Sequence, residues 1–427
     1  MVSITRSHTV VPSESTPKAR LWCSDIDQIV ARNHVPSVHV YKPDPEFQFP
    51  YIIQRMKDSL SKILVHFYPV AGRIRFKESG RVEVECNEMG VTLLEAETAK
   101  ALDQYYYWEP NKLTKELVPM VDYSSRLCIE EAPLLLVQVT KASCGGICVG
   151  IALSHIISDG SAFAHFINSW AKLARLDKFD QDDMPFLDRT ILRFPNLNPA
   201  PHFDHPECKQ LPLMLGSSDY KEEREKETTV ASLRITEEQV EKLKLKANNQ
   251  IITNQETLIH QVQRSYSRYE VLAAHIWRSV SKARQNDPNQ PTVVRIVGDV
   301  RSKFNPPLPR NFLGNAILRA VTPTCLVGDI VSNPLSYGAQ KIREGTSVLR
   351  NDDYLKSQIL FLTNDQNADW KCQYAGNPNL HIVSWMSMPT YEADFGWENR
   401  SISVQEISVM MEECTSYQAL PELVILK

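Results

Sequence analysis

The sequence predicts an α/β protein built as two layered units, and three observations carry that expectation. Apolar runs of strand length alternate with 3.6-periodic stretches of helix length in both halves of the chain. At 427 residues the chain is longer than one hydrophobic core usually organises, so two domains are expected. Between Asp188 and Tyr220 the periodicity fails, interrupted by Pro195, Pro199, Pro201, Pro206 and Pro212, as in a crossover linker. The expected division is 1–187, a linker over 188–220, and 221–427.

Residues 1–42 read as a strand, a loop and a second strand, Val35–Tyr41. A helix follows, with Ile52, Ile53, Met56, Leu60, Ile63 and Leu64 on one face. Pro69 and Gly72 break it, and Arg81–Cys86 alternates as a strand. Leu134–Thr140 and Ile147–Leu153 are apolar runs expected to be buried strands, joined as a hairpin through Ser143-Cys144-Gly145-Gly146. The second run stops at Ser154-His155. Ser158-Asp159-Gly160 makes a turn, and a helix begins with Phe163, Phe166, Ile167, Trp170 and Leu173 on one face. In the second unit the charge run Lys221–Thr228 reads as a solvated loop and Val230–Ile235 as a strand. Thr236 caps a helix carrying Val240, Leu243 and Leu245. A second helix carries Val271, Ala274, His275, Trp277 and Val280. Val293–Val297 is a strand, 335–362 is helical, and His381–Trp385 is a strand.

Composition narrows the function. Hydrophobic residues at 43% and charged residues at 23% fit an ordinary soluble globular protein. A net charge of −4 provides no global field for nucleic acid or an anionic membrane. No apolar run approaches the roughly 18 residues of a membrane helix, and the first residues lack the apolar core of a secretory signal; the expected location is the cytoplasm. The nine Cys are scattered, and Cys144 and Cys148 lack zinc-pair spacing, so no bound metal is expected. A G-x-S-x-G elbow, a Walker loop and a dinucleotide glycine fingerprint are all absent. What remains is side-chain acid/base chemistry without a bound redox cofactor. His155 is the candidate base, because the end of a central strand holds an imidazole rigidly, and an unperturbed imidazole titrates near pH 6.5. Spacing alone decides little: with eleven His in the chain, one accidental His-x-x-x-Asp is unsurprising.

Six stretches taken in order are more specific. Phe67-Tyr68-Pro69-Val70-Ala71-Gly72-Arg73, Ser154-His155-Ile156-Ile157-Ser158-Asp159-Gly160, Ala274-His275-Ile276-Trp277-Arg278, Asp299-Val300-Arg301, Asn311-Phe312-Leu313-Gly314-Asn315 and Asp394-Phe395-Gly396-Trp397 resemble the plant BAHD acyl-CoA-dependent acyltransferases. Within that family, Pro185–Leu192, Glu222–Lys226 and Gly376–Leu380 are most similar to the spermidine hydroxycinnamoyl transferase branch. The resemblance implies two similar-sized two-layer α/β domains of the chloramphenicol-acetyltransferase type, with an active-site channel between them and His155 at its midpoint. It implies acyl-CoA as co-substrate, a small-molecule amine or alcohol acceptor, no nucleic-acid or membrane partner, and a monomer. His155 would take the acceptor's proton as that group attacks the thioester. The indole N–H of Trp385 is a candidate donor to the oxyanion, or else an aromatic core residue. Asp159 would hold the turn by pairing with an Arg, expected to be Arg278, and Asp394 would pair with Arg301.

Val35, Ser37, His39 and Ser387 are the expected acceptor pocket. Shikimate and quinate transferases of the family carry an Arg for the acceptor carboxylate in a Trp-x-Arg-x-Pro stretch. Here Trp385-Met386-Ser387-Met388-Pro389 puts Ser387 in that place, and Val35 stands where those enzymes have a Thr. Loss of a bidentate Arg–carboxylate contact argues for a cationic or neutral acceptor. A polyamine is therefore the expected acceptor, with Glu392 near the site able to attract an ammonium group; shikimate, quinate or another alcohol is the alternative. Lys244 and Lys246 are candidate partners for CoA phosphates.

The resemblance stops at Trp397. Glu398 follows where the family has Gly, and Glu398–Lys427 does not resemble the expected loop, Gly-rich turn and last strand. With suitable codons the tail read one base away does, which suggests a frame change after Trp397. A non-catalytic or unstable paralogue is the further alternative this raises.

Overall fold

The computed structural model describes residues 1–43, 46–105, 116–123, 126–194, 203–226, 233, 235–253, 264–363, 375–389, 392–397 and 423–426. Strands and helices occur together in both halves, as expected of an α/β chain. The first half contributes β1 (Val2–Val10), β2 (Ala19–Trp22), β3 (His34–Tyr41), β4 (Arg73–Phe76), β5 (Val82–Cys86), β6 (Val91–Thr98), β7 (Leu135–Lys141) and β8 (Ile147–Ser154). Five of them form one sheet in the order β1-β6-β7-β8-β3, and β2-β5-β4 form a smaller one. The Gly-Gly turn closes the β7–β8 hairpin, pairing Lys141 with Ile147.

Every residue of β8 is buried, because the strand is covered on both faces. Val149, Ile151 and Leu153 belong to the same core as the helices Phe49–His66 and Gly160–Ala174. Cys148 and Ala152 face the other way and pack with Val38, Val40 and Leu136. A strand buried on both sides cannot alternate, which is why it reads as one apolar run.

The second half contributes β9 (Pro291–Thr292), β10 (Val294–Asp299), β11 (Ile317–Val321), β12 (Cys325–Leu326), β13 (Leu380–Ser384) and β14 (Leu423–Leu426). Its main sheet runs β11-β10-β13-β14, with β10, β13 and β14 parallel and β11 antiparallel to β10. Val294, Ile296, Leu380 and Ile382 meet Val271, Ala274 and Trp277 of the Arg268–Arg284 helix and Ala339 and Ile342 of the Leu335–Ser347 helix.

Several local expectations change. Within the crossover, Arg189, Leu192, His205, Glu207 and Leu211 are buried. Lys221–Glu225 is a short helix rather than a loop. A short helix at Asp25–Ile29 was not expected; Ser24 and Asp27 form a capping box at its start. The strand expected over Val230–Ile235 lies largely outside the described residues, as does most of the tail after Trp397. The described piece of that tail, β14, adds an edge strand to the second sheet.

One late segment belongs to the early core. Ala393, Phe395 and Trp397 pack with Tyr41, Phe166 and Trp170 of the first half. Phe395 stacks on Trp397 at 5.3 Å and meets Trp170 edge-on at 4.9 Å. Tyr41 donates its hydroxyl proton to the Ala393 carbonyl at 2.8 Å. The two halves therefore share side chains.

Candidate active site

His155 is the first residue beyond β8. Its amide donates to Asn33 O at 2.9 Å, and its carbonyl accepts from Asn315 Nδ2 at 2.8 Å. The ring is half-buried; its Nδ1 is buried without a hydrogen-bond partner among the described residues.

Four residues on, Asp159 caps the Gly160–Ala174 helix, accepting from the Ala162 amide at 3.0 Å. It is 1% exposed and grips Arg301 with both oxygens, Oδ2 to Nη1 at 2.8 Å and Oδ1 to Nη2 at 2.9 Å. The Ala316 amide adds a fourth bond at 2.8 Å. Burial opposes charge on this carboxyl, but the Arg301 guanidinium and the two amides outweigh burial and hold it below the usual carboxylate range. Arg301 also reaches the carbonyls of Phe312 and Gly314 and the carboxylate of Asp299. The turn after His155 is thus bolted to the loop before β11.

Both expected ion pairs need correction. The partner of Asp159 is Arg301, not Arg278; Arg278 donates instead to the carbonyls of Ile330 and Asn333, closing the end of a neighbouring helix. Asp394 does not meet Arg301. Its Oδ1 accepts from the Gly396 amide at 2.8 Å, and its Oδ2 lies 3.8 Å from Arg175. Asp394 shapes the turn that delivers Phe395 and Trp397 to the first core.

Trp385 is 7% exposed and begins the loop after β13. A Cβ on Gly160 would lie 3.5 Å from its Cζ2 and 2.6 Å from Met388 Sδ. Only a glycine at the helix start lets this loop come so near, and Asn168 Nδ2 fixes the loop's end through Pro389 O at 2.9 Å. The structure thus brings Trp385 and Met388 against the helix that begins five residues after His155.

Val35, Ser37 and His39 share one face of β3, opposite Leu153, Ile151 and Val149 of β8. Val35 is nearest the strand end that carries His155, and each further pair lies roughly 7 Å deeper. Ser37 and His39 are buried, 3.3 Å apart through Oγ and Nε2. Ser387 and Glu392 are exposed. Lys244 is engaged by Glu241 at 2.9 Å. Among the described residues no His/Cys/Asp/Glu group is placed to hold a metal ion, and no helix is long and apolar enough to cross a membrane.

The chain as a whole is similar to known proteins. The Transferase family matches residues 1–417. Hydroxycinnamoyl-CoA:piscidic acid hydroxycinnamoyltransferase of Actaea racemosa is 39% identical over 410 residues, covering 93% of this chain and 89% of the relative. Shikimate O-hydroxycinnamoyltransferase of Nicotiana tabacum is 36% identical over 403 residues, covering 93% and 88%. Among solved structures, vinorine synthase superposes with a TM-score of 0.70 at 23% identity, covering 100% of this chain and 91% of that one. The family match makes the chain an acyltransferase enzyme that uses acyl-CoA as co-substrate. The chain belongs to the Transferase family, the BAHD acyltransferases.

Proposed function

We propose that the protein moves a hydroxycinnamoyl group from CoA to the hydroxyl or amino group of a small carboxylic acid. The observation that carries this is the acceptor named in relatives that match nine-tenths of the chain: piscidic acid, shikimate and, in an Avena sativa N-transferase 36% identical over 411 residues, 5-hydroxyanthranilate. These names support a carboxylic-acid acceptor, the alternative above, better than a polyamine. A hydroxyl acceptor also suits the chemistry better, because alkyl ammonium groups titrate near 10.4 and must lose a proton before they can attack.

In this reading the ring of His155 takes the acceptor's proton as its oxygen or nitrogen attacks the thioester carbonyl. Nδ1 is buried, so Nε2 is the nitrogen that meets the substrate. Trp385 donates its indole N–H to the oxyanion. Collapse of the tetrahedral intermediate expels the CoA thiolate, which recovers a proton from the imidazolium. Val35, Ser37 and His39 line the acceptor side. Asp159 and Arg301 hold the turn without touching substrate.

A polyamine stays as the second reading because Ser387 stands where an Arg would hold a carboxylate. The test is purified protein with p-coumaroyl-CoA and a panel of shikimate, quinate, piscidate, 5-hydroxyanthranilate and spermidine, read by free-thiol release. Release with a carboxylic acid and none with spermidine is the expected result. Release with spermidine alone would overturn the proposal, and release with no acceptor would favour a non-catalytic paralogue. His155→Ala is expected to lower kcat by about 10²–10⁴-fold with the best acceptor.

A further inference from the structure

Three successive carbonyls of the turn that begins at His155 are each occupied by a side chain from elsewhere in the chain. His155 O accepts from Asn315 Nδ2 at 2.8 Å, Ile156 O from Arg189 Nη1 at 3.3 Å, and Ile157 O from Arg189 Nη2 at 2.9 Å. Both donors are held by one carboxylate. Asp27 Oδ2 accepts from Arg189 Nη1 at 2.9 Å, and Oδ1 accepts from Asn315 Nδ2 at 2.8 Å and from the Asn315 amide at 3.0 Å. The Asp27 and Arg189 side chains are both 0% exposed. Arg189 Nε donates to Leu313 O at 3.2 Å. A Cβ on Gly314 would stand 3.3 Å from that nitrogen and 2.8 Å from the Phe312 ring, so the loop reaches the guanidinium only without a side chain there.

Buried carbonyls need partners, but partners could have come from water or the adjacent backbone. Here they come from the crossover and the loop before β11, two distant segments that meet on one carboxylate of a short N-terminal helix. A base works only within hydrogen-bond reach of its proton, and a misplacement of about 1 Å can cost about 10²-fold in rate.

We propose that Asp27, Arg189 and Asn315 form a clamp that positions His155 for proton transfer, Asn315 directly through the His155 carbonyl and Arg189 through the next two. The inference rests on His155 being the base. The clamp residues are positioning residues: Asn315 and Arg189 reach the turn through its carbonyls, and Asp27 holds both donors.

Asn315→Ala removes the bond to His155 O and leaves the Asp27–Arg189 pair in place. Its kcat is expected to fall about 10–10²-fold, with KM for acyl-CoA and the CoA Kd from calorimetry within about twofold of wild type, and hydrogen exchange at amides 155–158 is expected to speed up. Arg189→Lys, which keeps the charge but cannot span both carbonyls, is expected to behave alike and serves where Asn315→Ala folds poorly. A folded variant with wild-type kcat, or with unchanged exchange in the turn, would overturn the clamp; so would a loss of kcat matched by loss of CoA affinity. His155→Ala run alongside separates the two readings. If it keeps wild-type turnover, the base assignment fails; if it is inactive while Asn315→Ala is fully active, only the clamp fails.

Discussion

Asp159 accepts four hydrogen bonds, from Arg301 Nη1 and Nη2 and from the amides of Ala162 and Ala316. Asp159→Asn would leave Arg301 buried without its buried counter-charge, and breaking a buried ion pair from one side costs about 3–5 kcal/mol. The expected outcome is a lower urea midpoint, with turnover per folded molecule kept within about tenfold (far from a general base's about 10²–10⁴-fold). Because the folded carboxyl is held below its usual range, its contribution is full above the unfolded value near 3.9 and is lost as pH falls through the folded one. His34 works with the opposite charge. Burial pushes its imidazole down to about 4, only partly offset by the Pro133 carbonyl. The neutral ring is satisfied at both nitrogens, by Tyr123 OH at 2.6 Å and Pro133 O at 2.8 Å. The unfolded chain therefore binds the proton first, so stability is complete above about 6.5 and falls as pH drops toward about 4. His34→Gln is expected to flatten the dependence of the urea midpoint on pH between 5 and 7, relative to wild type.

At the scale of elements, the turn between β8 and the Gly160–Ala174 helix is where the two halves meet. Gly160→Ala would drive a methyl to 2.6 Å from Met388 Sδ. The loop must retreat, at a cost of about 1–3 kcal/mol for overpacking, and a drop in the melting midpoint together with a lower kcat is the expected result. The local half of this arrangement was legible in the sequence. An unbroken apolar run announced a buried strand, and the turn at Ser158-Asp159-Gly160 before Phe163, Phe166 and Trp170 announced a helix start. The pairing half was not. A buried ion pair leaves no periodicity, so nothing in the chain says that Asp159 meets an arginine 142 positions later rather than Arg278. Ser24 and Asp27 did carry a signal, a capping box three residues apart, but it announces only a helix start, not that Asp27 turns its second oxygen to Asn315.

At the scale of the whole molecule, β14 covers one edge of β13, with His381–Ser384 paired to Leu423–Leu426. A chain ending at Glu422 would expose that edge, and exposed edges recruit other chains. Such a truncation is expected to lower the melting midpoint and raise light scattering on heating; unchanged values would show that the strand adds nothing. The other long-range feature has a temporal consequence. Phe395 and Trp397 complete a core whose remaining members begin at Val10. A ribosome adding about 5–20 residues per second needs roughly 20–70 s to pass from Tyr41 to Trp397. Until then Tyr41 lacks Phe395 and Trp397 and Trp170 lacks Phe395, so the half of the protein made first cannot finish folding first. The nascent chain holds an open apolar surface until Trp397 has been made.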